Sequence, residues 1–164
     1  MLFAPVEKEA HELTIVSSSL EELEKSNLDK VNLGQHVLAE FFECDPNILN
    51  SNDKVEKYMI DAALECGATI VQKCFHMFNP YGVSGVVIIS ESHLAIHTWP
   101  ELGYAAVDLF TCGTKCDPKV AYEFLKKKFN SKKASFTELK RGIIDRETLK
   151  LSEQPFEIAE QFEG

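Results

Sequence analysis

The chain has 164 residues, 45% of them hydrophobic and 26% charged, with 17 basic against 26 acidic side chains and a net charge of -9. That suits one domain around a single core and excludes a general nucleic-acid binder, which needs a basic face. No run approaches the roughly 18 uninterrupted apolar residues that cross a bilayer, and the opening MLFAPVEKEAHEL lacks the basic start, apolar stretch and cleavage site of a secretory signal. The five cysteines (Cys44, Cys66, Cys74, Cys112 and Cys116) are odd in number and form no CxxC pair, which predicts reduced thiols in a cytoplasm.

Residues 1–30 are polar, with the acidic patch Glu21-Glu22-Leu23-Glu24, and read as an appended arm or short helix. Leu33–Phe42 is ambiguous between helix and strand. Val55, Tyr58, Met59, Ala62, Ala63 and Cys66 fall on one helical stripe over residues 52–66, with Ser51 or Asn52 as cap and Gly67 as the C′ glycine. Ala68–Met77 is rich in β-formers, and Asn79-Pro80-Tyr81-Gly82 supplies turn chemistry. Gly85–Thr98 reads as one extended run, broken by Trp99–Gly103 before a strand over Tyr104–Thr111. Asp117 caps a second helix with Pro118 at its first position and a stripe of Val120, Ala121, Phe124, Leu125 and Phe129. The Lys126-Lys127-Lys128 run is its solvated face. Ala134–Leu139 alternates as a last strand.

This order predicts an α+β fold: a two-layer sandwich, an antiparallel sheet with two helices packed on one face. The organisation reads as an N-terminal extension over 1–30, a domain over 31–142 and an acidic tail over 143–164. The tail carries Asp145, Glu147, Glu153, Glu157, Glu160 and Glu163 with few large apolar residues, and belongs on the surface.

Chemistry concentrates in Tyr81–Gly113, which holds Ser84, Ser90, Glu91, Ser92, His93, His97 and Cys112. If Trp99–Tyr104 joins paired strands, Thr98 faces Ala105 and Glu91 falls opposite Cys112. Alternation sets Ser92 and His97 on opposite faces of an unbroken strand, a conflict that a bulge or chain break near Ser92 removes. His93 and His97 are not expected to hold a metal, since an i,i+4 pair on a strand lies about 13 Å apart and no zinc-type spacing completes a site. Cys44, Cys66 and Cys74 read as core residues, Cys116 as a buried or idle thiol, and His36 and Glu40 carry no assigned role.

ISESHLAIHTWPE followed by DLFTCG, with YGVSG upstream and LGQHVLAEFFECD before the first helix, resembles the small prokaryotic S-adenosylmethionine decarboxylases. These are pyruvoyl-dependent enzymes made as self-cleaving proenzymes. The resemblance spans about Leu33 to Phe129 and is densest over 78–113. It implies cleavage between Glu91 and Ser92: Ser92 attacks the Glu91 carbonyl, the resulting ester is eliminated, and hydrolysis leaves a pyruvoyl group on the C-terminal fragment. His97 matches a processing base and Ser84 a serine that aids processing. The pyruvoyl carbonyl forms a Schiff base and acts as the electron sink that a pyridoxal ring provides elsewhere, so no pyridoxal cofactor and no metal are expected. Cys112 matches the acid that protonates the carbanion. Phe78 and Trp99 match residues that stack on adenine, and Glu101 one that takes the ribose hydroxyls.

The implied function is conversion of S-adenosylmethionine to its decarboxylated form, the aminopropyl donor for spermidine and other polyamines. The implied partners are that substrate and a second copy of the chain, with sites at or near the interface of a cytoplasmic homodimer and with neither nucleic acid nor membrane. Two alternatives use the same scaffold: an arginine or ornithine decarboxylase, and an unprocessed regulatory or binding subunit. A serine or cysteine hydrolase lacks both a GxSxG elbow and a triad order.

Overall fold

The computed structural model describes residues 30–154 and 156–164. The arm read over 1–30 lies, but for Lys30, outside the described residues. In chain order the elements are β1 (Lys30–Phe42), α1 (Pro46–Leu49), α2 (Asn52–Glu65), β2 (Ile70–Met77), β3 (Val83–Ile89), β4 (Ser92–Trp99), a 3-10 turn (Pro100–Leu102), β5 (Tyr104–Cys112), α3 (Pro118–Lys128), β6 (Lys133–Asp145) and β7 (Phe156–Glu163). The strands form one antiparallel sheet in the order β2-β3-β4-β5-β1-β6-β7.

The ambiguous segment Leu33–Phe42 lies within β1, paired with β5 on one side and β6 on the other. Its alternation decides its orientation: Val37, Ala39 and Phe41 are buried, whereas Leu38 and Glu40 are half-buried on the other face. Ser51 caps α2 through its side chain, and Gly67 ends it at φ 86°. Both long helices cover the same face, α2 against β2 and β3, α3 against β1 and β5, and each against the other. Phe41 stacks on Tyr122 at 5.5 Å and meets Phe129 edge-on at 5.6 Å, joining the sheet to α3.

Several expectations change. The apolar stripe of α3 is rotated: Ala121, Tyr122, Leu125 and Phe129 are buried, Phe124 is only partly covered and Val120 is exposed. Tyr122 wins the place because its ring fills the gap over Phe41. Cys74 is exposed rather than core, since it sits on the edge strand β2 opposite Val86, away from the helices; Cys44, Cys66 and Cys116 are buried. The last strand runs on to Asp145, and the acidic segment supplies β7, an edge strand whose residues are all exposed. Gly85–Thr98 is two strands, not one. No helix among the described residues is long and apolar enough to cross a membrane.

Thr98 locks the end of β4 to the helical layer. Its buried hydroxyl donates to the Leu49 carbonyl (2.9 Å) and accepts from the Val83 amide (2.8 Å). Thr98→Val keeps the volume and strands both partners, so it is expected to lower stability by about 1–3 kcal/mol, measured as a fall in the urea midpoint.

Candidate active site

Ser90 and Glu91 form the two-residue turn between β3 and β4, with Ile89 and Ser92 as the flanking pair. Two-residue hairpins favour glycine or asparagine, whose backbones tolerate positive φ. Neither is present, and the unusual conformation falls on Ser92 at φ 152°. A non-glycine residue held there stores roughly 1–3 kcal/mol of strain.

Three hydrogen bonds over-determine the turn. The Ser90 amide donates to the Thr69 carbonyl (2.9 Å), and the Thr69 amide donates to Glu91 Oε2 (3.1 Å). This second bond, more than any other cause, holds the exposed Glu91 carboxyl below the usual carboxylate range. The Cys112 amide donates to the Glu91 backbone carbonyl (2.8 Å), polarising that carbonyl and offering a fixed donor to negative charge developing on its oxygen.

The register follows the loop: Thr98 faces Ala105, Ser92 faces Thr111, and Glu91 meets Cys112. The strained φ sits where a break was needed to relieve the alternation conflict. Ser92 Oγ lies 3.3 Å from His93 Nδ1, within reach of its immediate neighbour rather than of His97. Cys112, half-buried, ends β5 opposite Gly34 of β1. A Cβ at Gly34 would come within 2.9 Å of the Thr111 carbonyl and 2.7 Å of the Phe110 ring, so glycine there lets β1 close on the Cys112 strand.

A second cluster occupies the other end of the helix-free face. Ser84 and His97 are paired across β3 and β4, with Ser84 Oγ 2.7 Å from His97 Nδ1. Trp99 lies 6.3 Å from the His97 ring and 5.2 Å from that of Tyr104. Tyr104 donates its hydroxyl to Glu40, and burial together with that carboxylate pushes its pKa up to about 12, so the phenol keeps its proton. Phe78 follows β2, half-exposed, its ring 4.7 Å from that of His76. Glu101 is exposed on the 3-10 turn. Five residues of strand separate Ser92 from His97, about 16 Å at the ordinary rise. Within one chain the two clusters do not meet.

Between them lies Asp108, whose carboxylate is 3.5 Å from His36 Nε2. That imidazole holds the Asp108 carboxyl below its ordinary range. Arg141 Nη1 reaches His36 Nδ1 at 3.1 Å and its guanidinium lies over Phe110. Among the described residues no three histidine, cysteine or carboxylate side chains converge as a metal-binding group.

The S-adenosylmethionine decarboxylase family model matches residues 35–142. The chain belongs to this family. It is 58% identical over 113 residues to the S-adenosylmethionine decarboxylase proenzyme of Clostridium kluyveri, covering 69% of this chain and 90% of that one. To the proenzyme of Pelotomaculum thermopropionicum it is 59% identical over 119 residues, covering 73% and 94%. The crystal structure of the Aquifex aeolicus adenosylmethionine decarboxylase superposes with a TM-score of 0.65 at 31% identity, over 69% of this chain and 93% of that one. A Trypanosoma brucei AdoMetDC monomer shares the fold alone, with a TM-score of 0.50 at 12% identity over 64% and 45% of the two chains.

In this decarboxylase-family chain, the sequence-predicted residues divide between the two clusters. Glu91, Ser92 and Cys112 stand together at the end of the strands marked by the Ser90–Glu91 turn; Ser84, His97, Phe78, Trp99 and Glu101 stand at the opposite end. Sequence reasoning weighed His93 only as a metal ligand and passed over its contact with Ser92. Strand alternation points neighbours apart, and nothing local announces the φ that turns Ser92 out of that pattern. Glu40, left without a role, is the acceptor that fixes Tyr104 beside Trp99.

Proposed function

We propose that this chain is a proenzyme that cleaves itself between Glu91 and Ser92 and then decarboxylates S-adenosylmethionine, yielding the aminopropyl donor for polyamine synthesis. One observation carries the reading: the bond expected to break lies at a strained two-residue turn whose Glu91 carbonyl already accepts a hydrogen bond from the Cys112 amide. Family membership and relatives named for this activity support it.

In processing, Ser92 Oγ adds to the Glu91 carbonyl carbon, the Cys112 amide holds the developing oxyanion, and the carbon–nitrogen bond opens to an ester. Loss of the Ser92 α-proton to His97, oriented by Ser84, expels the Glu91 carboxylate. Tautomerisation and hydrolysis of the remaining dehydroalanine then release ammonia and leave chains 1–91 and 92–164, the second capped by a pyruvoyl group. The residues fit that group, because Ser92 opens β4 at the strained turn and Cys112 ends the adjacent strand β5. Such a group would supply an electrophilic carbonyl and an electron sink for decarboxylation. Cys112 returns a proton to the substrate carbon. Phe78 and Trp99 offer aromatic faces to the adenine and the sulfonium charge, and Glu101 accepts from the ribose hydroxyls.

The separation of the clusters supports a homodimer as the working unit. Two copies pairing their helix-free faces about a two-fold axis set the Ser92 end of each against the His97 end of the other, completing two sites. That face is apolar enough to be buried: Ile88, Trp99 and Phe42 are exposed on it, with Leu38, Val86 and Phe110 half-covered. The catalytic unit is residues 31–142, and its free thiols suit a cytoplasm.

Carbon dioxide release from carboxyl-labelled S-adenosylmethionine, arginine and ornithine, offered separately to the processed protein, tests the assignment. Release from S-adenosylmethionine alone is expected. Release from arginine or ornithine instead would transfer the chemistry to that amino acid, and no release from any would leave a regulatory subunit.

A further inference from the structure

We propose that His93 is the proton shuttle for the first processing step, the shift of the Glu91 acyl group from Ser92 nitrogen to Ser92 oxygen. The inference rests on the self-cleavage reading above and assigns it a group that neither the resemblance nor the comparisons supply. Its ground is contact. His93 Nδ1 is 3.3 Å from Ser92 Oγ, whereas His97 lies five residues further along the same strand. His93 is half-buried, and its ring stands edge-on to Phe110 at 5.8 Å, which restrains it beside the serine.

The contact exists because of the strain. Adjacent residues in a regular strand point to opposite faces; at φ 152° Ser92 leaves that pattern and its hydroxyl comes within reach of the next imidazole. With the ring proton on Nε2, Nδ1 is free to accept. The Ser92 hydroxyl proton passes to Nδ1 as Oγ bonds to the Glu91 carbonyl carbon. The tetrahedral oxyanion rests on the Cys112 amide. As the carbon–nitrogen bond breaks, Nδ1 gives the same proton to the departing Ser92 nitrogen. The products are an ester and an amine with no net gain or loss of atoms or charge, so no co-reactant is needed. Donor and acceptor belong to one residue, so a single imidazole beside it serves both transfers. A base acting later, on the Ser92 α-proton, is a separate requirement that His97 meets from the partner chain.

The test follows uncleaved proenzyme released by cell-free translation, with fragments 1–91 and 92–164 read by denaturing mass spectrometry. His93→Gln is expected to slow fragment formation about 100-fold, the scale of a general-base contribution, and to accumulate no ester. His97→Ala is expected to accumulate an ester that hydroxylamine cleaves at the same bond. Added imidazole is expected to restore cleavage to His93→Ala, which a merely structural defect would not allow. If His93→Ala fails to fold, His93→Gln decides, with its thermal midpoint confirming the native sheet. Wild-type cleavage rates in His93→Gln, or a hydroxylamine-sensitive ester in that variant, would overturn the assignment. Ser92→Ala separates the two levels: fragments from that variant would sink self-cleavage altogether, whereas an intact Ser92→Ala beside a normally cleaving His93→Gln would sink only the role of His93.

Discussion

Co-expressed Ser92→Ala and His97→Ala chains are expected to regain a cleavage that neither achieves alone. Ser92→Ala has no nucleophile and stays in one piece. His97→Ala keeps the nucleophile and loses the base for elimination, with processing down by about 10²–10⁴-fold. About 16 Å of strand separates the two positions, and the Ser84–His97 pair is bonded within itself, at 2.7 Å, rather than to anything near Ser92. In a mixed two-fold dimer, the intact Ser92 of one chain meets the intact His97 of the other. Random pairing then cuts about half of the His97→Ala chains. A mass tag on each variant identifies which chain is cleaved. Mixed dimers that remain whole would refute sharing of the site between chains.

Cys112→Ala is expected to cleave almost normally and yet lose turnover. The cysteine acts in processing through its backbone amide, which donates to the Glu91 carbonyl and survives the substitution. In decarboxylation the thiol itself delivers the proton, and general-acid contributions of this kind are worth about 10²–10⁴-fold in kcat. Fragment yield from the variant tests the first half, and carbon dioxide release from S-adenosylmethionine tests the second. An undiminished kcat would remove the thiol from the reaction, and a chain that stays whole would give it a part in processing as well.

The helices and the β4–β5 register were open to sequence reasoning because local chemistry marks them: Ser51 and Asp117 cap their helices, Gly67 ends one, and the Trp99–Gly103 break sets Thr98 against Ala105. β1 was not, because a short apolar run with alternation and helical spacing combined does not choose between them until neighbours pair on both sides. Nor was the turn at Ser90–Glu91, since serine, a weak turn former, is its only local signal and no further glycine, proline or asparagine follows Gly85 in the run. The β7 strand was hidden by its charge. Its glutamates are tolerated because it lies at an exposed edge, with Glu160 paired to Lys119.

The amino-acid order by itself determined which reactive groups this protein has, the serine, carboxylate, imidazoles and thiol within the 33 residues of Tyr81–Gly113, and therefore the chemical class open to it. Only the tertiary structure decided how they are shared out. Helices cover one face of the sheet and leave the other free, the hairpin strain falls on Ser92, and the rise of a strand carries His97 out of its reach. Reactivity is a property of residue types, whereas proximity depends on strand pairing and packing between segments distant in the chain.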